Sequence, residues 1–131
     1  MSPGYVRPVI AMIFEFRFDP GDEAAYREYL SEAARLRELL PDLDGLHGIE
    51  RFTSDTDPGR FVAIGYFRDE EAVAAWRNTP AHRRAQALGR RRFFTDYRLR
   101  MAEVIRDYGP GDRNEAPADS RRAHDERTTD A

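Results

Sequence analysis

Residues 46–69 read LHGIERFTSDTDPGRFVAIGYFRD. Two runs rich in aromatic and aliphatic side chains flank a polar link. That link holds Asp57-Pro58-Gly59, where Pro presets one backbone angle and Gly accepts a positive φ. The pattern predicts two strands, 46–55 and 60–69, joined as a hairpin. The segments on either side of the hairpin give it its weight, because they set the order of the whole chain.

Upstream stands VIAMIFEFRFD, residues 9–19, which reads as a strand ending at the turn signal Pro20-Gly21. One phase (Ile10, Met12, Phe14, Phe16, Phe18) is wholly apolar. The other begins with Val9, Ala11 and Ile13 and ends with Glu15 and Arg17, so both faces are covered at one end of the strand. A helix is expected over about 22–40, capped by Asp22, with an apolar stripe through Tyr26, Leu30, Ala33, Leu36 and Leu40.

Downstream, Asp69 is placed to cap EEAVAAWRN. Thr79 caps a second helical piece whose first position is Pro80, where a missing N–H costs nothing. Gly89 reads as its stop, and YRLRMAEVIRDY, 97–108, alternates as a last strand. The order β-α-β-β-α-β predicts an α+β, ferredoxin-like domain over 1–108 with a four-stranded antiparallel sheet. Residues 109–131 carry nothing apolar larger than Ala, and the expectation there is a disordered polar tail. Helices on one sheet face leave the other bare. Val9, Ala11 and Ile13 make that face apolar, which predicts a homodimer through sheet faces.

Composition narrows the chemistry. Net charge is −3, with 21 basic and 24 acidic residues, which gives no field for a polyanion. The Arg run around 83–92 therefore reads as a solvated helix face, and the strand GRFVAIGYF lacks the aromatic pattern by which this topology reads RNA. No nucleic-acid partner is expected. There is no Lys for a Schiff base, and no Cys for thiolate chemistry or a disulfide. No apolar run reaches the ~18 residues of a membrane span, and the start lacks the layout of a secretion signal, so a cytoplasmic location is expected. The three His (47, 82, 124) have no metal-motif spacing, and no metal site of protein ligands is expected.

What remains is an apolar cleft between helices and sheet, suited to a small, flat aromatic ligand. Phe14, Phe16, Tyr26, Tyr29, Leu30, Tyr66, Phe93 and Phe94 are its expected walls, with His82, Gln86 and Arg98 as polar tips. Trp76 and His82 stand six residues apart. One unbroken helix would turn them to different sides, but the Thr79-Pro80 break allows both to face one cavity. The plainer reading is a core Trp and a rim His held by backbone.

The segments ERFTSDTDPGRFVAIGYFRDEEAVAAWRNTPAHRRAQ (50–86) and DYRLRMAEVIRDY (96–108) resemble the antibiotic biosynthesis monooxygenase domain family. The resemblance covers about residues 9–108 and implies a dimeric α+β barrel. One branch of that family oxidises polyketide anthrones with dioxygen and no cofactor. It implies Trp76 in its place and, at His82, a proton-handling residue where that branch has Tyr. The branch's Asn falls on Ala72, which puts its oxyanion contacts in doubt. The haem-degrading branch implies an Asn that falls on Phe14 and an iron-ligating His that falls on Gln86. The expected function is then a monooxygenase of an aromatic, polyketide-like substrate, working without metal or flavin. Trp76 and His82 would be catalytic, and Arg83 or Arg98 would offset oxyanion charge. The alternatives are a haem-binding or haem-degrading protein and a non-catalytic ligand-binding or accessory barrel.

Overall fold

The computed structural model describes residues 7–130, with side chains to residue 124. Residues 1–6 of the expected domain and Ala131 of the expected tail lie outside the described residues. The described residues divide into two compact units, Pro8–Glu103 and a second made of Arg7 with Val104 onward.

In the first unit the elements come in the expected order. They are β1 (Ile10–Arg17), α1 (Glu23–Leu39), β2 (Leu46–Thr53), β3 (Arg60–Phe67), α2 (Glu70–Arg77), α3 (Pro80–Leu88) and β4 (Asp96–Glu103). The sheet order is β2-β3-β1-β4. Every neighbouring pair is antiparallel, so β1 and β2 run parallel with β3 between them. This is the ferredoxin-like α+β fold.

The local causes are those the side chains offer. The Asp22 carboxylate accepts from Ala25 N–H at 2.9 Å, and the Asp69 carboxylate accepts from Ala72 N–H at 2.8 Å. Gly59, at φ +84°, makes the hairpin turn, and an Arg17–Asp57 ion pair ties that turn to the end of β1.

The pleat then sorts the sheet. Ile10, Met12 and Phe16 point to the helices with Phe61, Ala63 and Phe67 of β3, and all six are buried. Phe16 and Phe67 are the largest fully buried side chains. Phe16 stacks between Phe14 and Phe61 at 5.1 and 5.5 Å. The opposite face carries Ala11 and Ile13 of β1, aligned with Tyr66 and Ile64 of β3 and with Ala102 and Arg100 of β4. Glu15 on that face pairs with Arg100 at 3.3 Å and Arg60 at 3.7 Å.

Three expectations are corrected. The last strand stops at Glu103 and not at 108, because its partner β1 begins at Ile10, directly opposite. Gly89 does not end its helix. It keeps right-handed helical angles (φ −58°, ψ −48°), and a π-helical turn continues over Gly89–Phe93. The glycine is needed for space, since a Cβ there would stand 2.5 Å from the Phe94 ring. Third, residues 109–130 are not wholly irregular. In the second unit Gly109 and Asp112 form an isolated bridge, Arg7 pairs with Glu115 at 2.8 Å, and Ala118–Asp130 form helix α4. Pro117 precedes the helix and Asp119 falls in its first turn, both favourable at a helix start. No helix among the described residues is long and apolar enough to cross a membrane.

The Phe94 ring is held by Phe14, Phe16, Phe18 and Tyr29, at 5.0 to 5.8 Å, so it has little room to retreat. We predict that Gly89→Ala destabilises the chain by about 1–3 kcal/mol in urea unfolding. An unchanged midpoint would mean that Phe94 can yield.

Candidate active site

Between the inner sheet face and the helices lies a cavity of about 300 Å³. Its floor is Met12 and Phe14 of β1, Ala63 of β3, and Leu99 and Met101 of β4. Tyr29, Ala33 and Leu36 of α1 close one side, and Val73, Trp76, His82 and Gln86 of α2 and α3 close the other.

The junction of α2 and α3 brings the indole and the imidazole together. The Thr79 hydroxyl donates to the Trp76 carbonyl at 3.0 Å and its oxygen accepts from His82 N–H at 3.2 Å. One side chain thus ends the first helix and caps the second. The two rings lie 3.8 Å apart between centres at an interplanar angle of 36°, and the indole rests on Phe67 at 5.4 Å.

His82 Nδ1 is buried and has no hydrogen-bond partner. The charged ring carries an N–H there with nothing to receive it, and so does the neutral tautomer protonated at Nδ1. Burial, with the Arg83 charge second, pushes the His82 pKa down from 6.5 to about 4. The imidazole is therefore neutral at pH 7, and a weaker base than an exposed histidine would be. Burial also pushes the Tyr29 phenol up, against the opposing charges of Arg51 and Arg37.

The expected site residues divide cleanly. Phe14, Trp76, His82, Gln86 and Phe93 line the cavity, as do Tyr29 and Phe94. Phe16 lies in the packed core, and Tyr26 stacks on Phe61 at 5.5 Å. Leu30 also falls outside the lining. Tyr66 and Arg98 are corrected to the opposite face of the sheet, in phase with Ile64 and Arg100. Arg83 is turned along its helix, donating to Gln86 at 3.0 Å and to the Asn78 side chain. Neither expected oxyanion partner reaches the cavity. The arginines that do are Arg37, Arg51, Arg77 and Arg90, none of which was expected. Strand phase was the available signal for Arg51, which shares the face of Ile49. Among the described residues no group of three or more His, Cys, Asp or Glu could hold a metal ion.

Comparison with known proteins adds a family. Residues 9–88 match the family model described as antibiotic biosynthesis monooxygenase. The chain is 35% identical over 96 residues to a protein of Pyricularia oryzae named jasmonate monooxygenase ABM. That match takes in 73% of this chain and 43% of the relative, so the chain spans less than half of the relative's length. YqjZ of Bacillus subtilis is 29% identical over 99 residues, covering 76% of this chain and 82% of that protein. Among solved structures, an antibiotic biosynthesis monooxygenase superposes with a TM-score of 0.61 at 18% identity, covering 73% of this chain and 98% of that one. A protein from Shewanella oneidensis does so with 0.64 at 15% identity, covering 76% and 93%. Both are likenesses of fold.

Trp76 is the only tryptophan in the chain, so its emission reports on His82. We predict a fluorescence change with a midpoint near pH 4 that is absent in His82→Gln. A midpoint near 6.5 would contradict the burial of the ring. The sign for stability comes from the depressed value. The unfolded ring binds its proton near pH 6.5 and the folded ring only near 4, so stability falls as pH drops between them. The loss is on the order of 3 kcal/mol at the limit, and His82→Gln should lack that component.

Proposed function

The chain belongs to the antibiotic biosynthesis monooxygenase family, and from that premise we propose that it oxidises a flat, phenol-bearing aromatic of polyketide type with dioxygen, using neither metal nor flavin. The supporting observation is the Trp76–His82 pair, 3.8 Å apart on the wall of an apolar cavity. The reaction converts a benzylic CH₂ and O₂ into C=O and H₂O. The carbon supplies all four electrons; one oxygen atom enters the product and the other leaves as water. No external reductant is required.

The protein's part is to hold the ring and move the first proton. Phe14, Phe93, Phe94 and Trp76 offer apolar surface to a planar body. With Nδ1 packed away, Nε2 is the His82 nitrogen left to meet the substrate. For Nε2 to be free to accept, the neutral ring must carry its proton on Nδ1, and Nε2 then takes the second proton as the carbanion forms. The new anion beside it offsets the cost of charging a buried imidazole. The electron-rich carbanion then passes an electron to O₂, the two radicals combine to a peroxide, and this takes back the His82 proton and loses water as the O–O bond breaks, leaving C=O. Exclusion of water by the apolar walls keeps the carbanion from being reprotonated.

Haem suits the same residues less well. An iron-ligating imidazole ordinarily has its second nitrogen hydrogen-bonded, and Nδ1 of His82 has no such partner. Gln86, at the position the family resemblance assigns to an iron ligand, is an amide whose oxygen accepts from Arg83. The jasmonate named for the Pyricularia relative belongs to a protein more than twice as long as the matched region, and it stands here only as a candidate substrate to assay.

We also propose a homodimer formed through the outer sheet face, where Ile13 and Ile64 stand side by side between half-buried Ala11 and Val62. Light scattering at micromolar concentration should give twice the 15.1 kDa chain mass, and Ile64→Glu should give the monomer. A wild-type monomer would end this proposal.

Oxygen uptake with an anthrone tests the catalytic reading. His82→Ala should lower kcat by about 10²-fold or more while leaving KM within a few fold. Full activity in that variant, or no uptake by the wild type across several polyaromatic substrates, would overturn the reading. Stabilisation by such ligands without turnover would make the chain a binding protein.

A further inference from the structure

The charged rim of the cavity has nearly one sign. Arg37, Arg51, Arg77 and Arg90 line it against one carboxylate, Glu32. That carboxylate is already engaged, with Arg84 at 3.4 Å and Arg35 at 3.7 Å. Arg37, Arg77 and Arg90 are exposed, and water satisfies their charge.

Arg51 is different. It sits on the inner face of β2 opposite Ala63, half-buried. Its guanidinium lies 5.3 Å from the centre of the Tyr29 ring. Among the described residues it forms no ion pair with a carboxylate. A half-buried guanidinium without a counter-charge is less screened than one at the surface, and an incoming anion would supply the missing partner. Its planar fork matches a carboxylate or sulfonate. Tyr29 and Arg37 line the same cavity, so a phenol and a second cation stand available beside Arg51.

We infer that the cavity takes an anionic amphiphile, whose aromatic body lies against Trp76 and Phe14 and whose acidic group pairs with Arg51, beside the Tyr29 hydroxyl and with Arg37 at the rim. This rests on the cavity's being the substrate site and adds a substrate class to it: aromatic acids over neutral aromatics of the same shape. Arg51 is the specificity residue, separate from the Trp76–His82 pair.

Two fluorescent probes with the same aromatic body separate charge from shape. Anilinonaphthalene sulfonate carries an acid group, and N-phenyl-naphthylamine does not. Each is titrated into the wild type, Arg51→Gln and Arg51→Lys, with quenching of Trp76 emission to place the probe in the cavity. Arg51→Gln should weaken the sulfonate by roughly tenfold or more and leave the neutral probe within twofold. Arg51→Lys, which keeps the charge and loses the planar fork, should fall between the wild type and Arg51→Gln for the sulfonate. Circular dichroism and the unchanged neutral-probe affinity together show that the Gln variant is folded. Equal weakening of both probes, or no effect on either, overturns the inference, and so does absence of sulfonate binding to wild type. The outcome is independent of turnover. A protein that consumes oxygen with anthrones but shows no charge discrimination keeps its proposed function and loses this inference. One that discriminates but never turns over does the reverse.

Discussion

The place of β1 in the sheet governs both faces of the molecule. It lies between β3 and β4 and is paired along its whole length with both. Side chains of a strand alternate with a period of two, so each residue of β1 is committed to one face. Ile10, Met12, Phe14 and Phe16 face the helices, and Ala11, Ile13, Glu15 and Arg17 face away. The pairing extends that commitment to β3 and β4. The cavity floor, the packed phenylalanine core and an outer face apolar at one end of β1 and charged at the other are three products of one alternation. A slip of one residue would place Glu15 in the phenylalanine cluster and Phe16 outside it.

The pairing of Trp76 with His82 depends on a smaller device laid over that sheet. The Thr79 hydroxyl satisfies a carbonyl at the end of α2 and an N–H at the start of α3. That double role turns the chain sharply enough for residues six apart to stack. The consequence for chemistry is mixed. The indole and the packed protein around it shelter His82 from water, which keeps the ring neutral and ready to accept a proton but lowers its strength as a base. Its proton affinity is then set largely by what enters the cavity, and not by the protein alone.

Much of this is legible in the residues themselves. The Asp57-Pro58-Gly59 turn and the caps Asp22, Asp69 and Thr79 act through their immediate neighbours, so local sequence suffices to read them. The end of β4 is not legible, because 104–108 continue an acceptable alternation and only the start of β1 limits the pairing. Gly89 misleads for a related reason. Its value lies in the close approach of Phe94, a neighbour across a turn and not a helix end. Within the site, Trp76, His82, Phe14, Gln86 and Phe93 emerge from the helix break, the family resemblance and aromatic composition. Residue type alone assigns Tyr66 and Arg98 to the cleft, where strand phase should decide. Arg51 escapes notice because an isolated arginine on a polar strand looks like solvent-facing charge.

The cavity also has an open side. Tyr97, Leu99 and Met101 belong to its lining, yet they are 46%, 52% and 41% exposed on β4, an edge of the sheet. An edge strand with a row of apolar side chains is a template on which other chains can add. In this molecule the adhesive row and the mouth of the site are the same surface. A ligand held in the cavity would cover Tyr97, Leu99 and Met101, apolar surface that stands open to solvent without it.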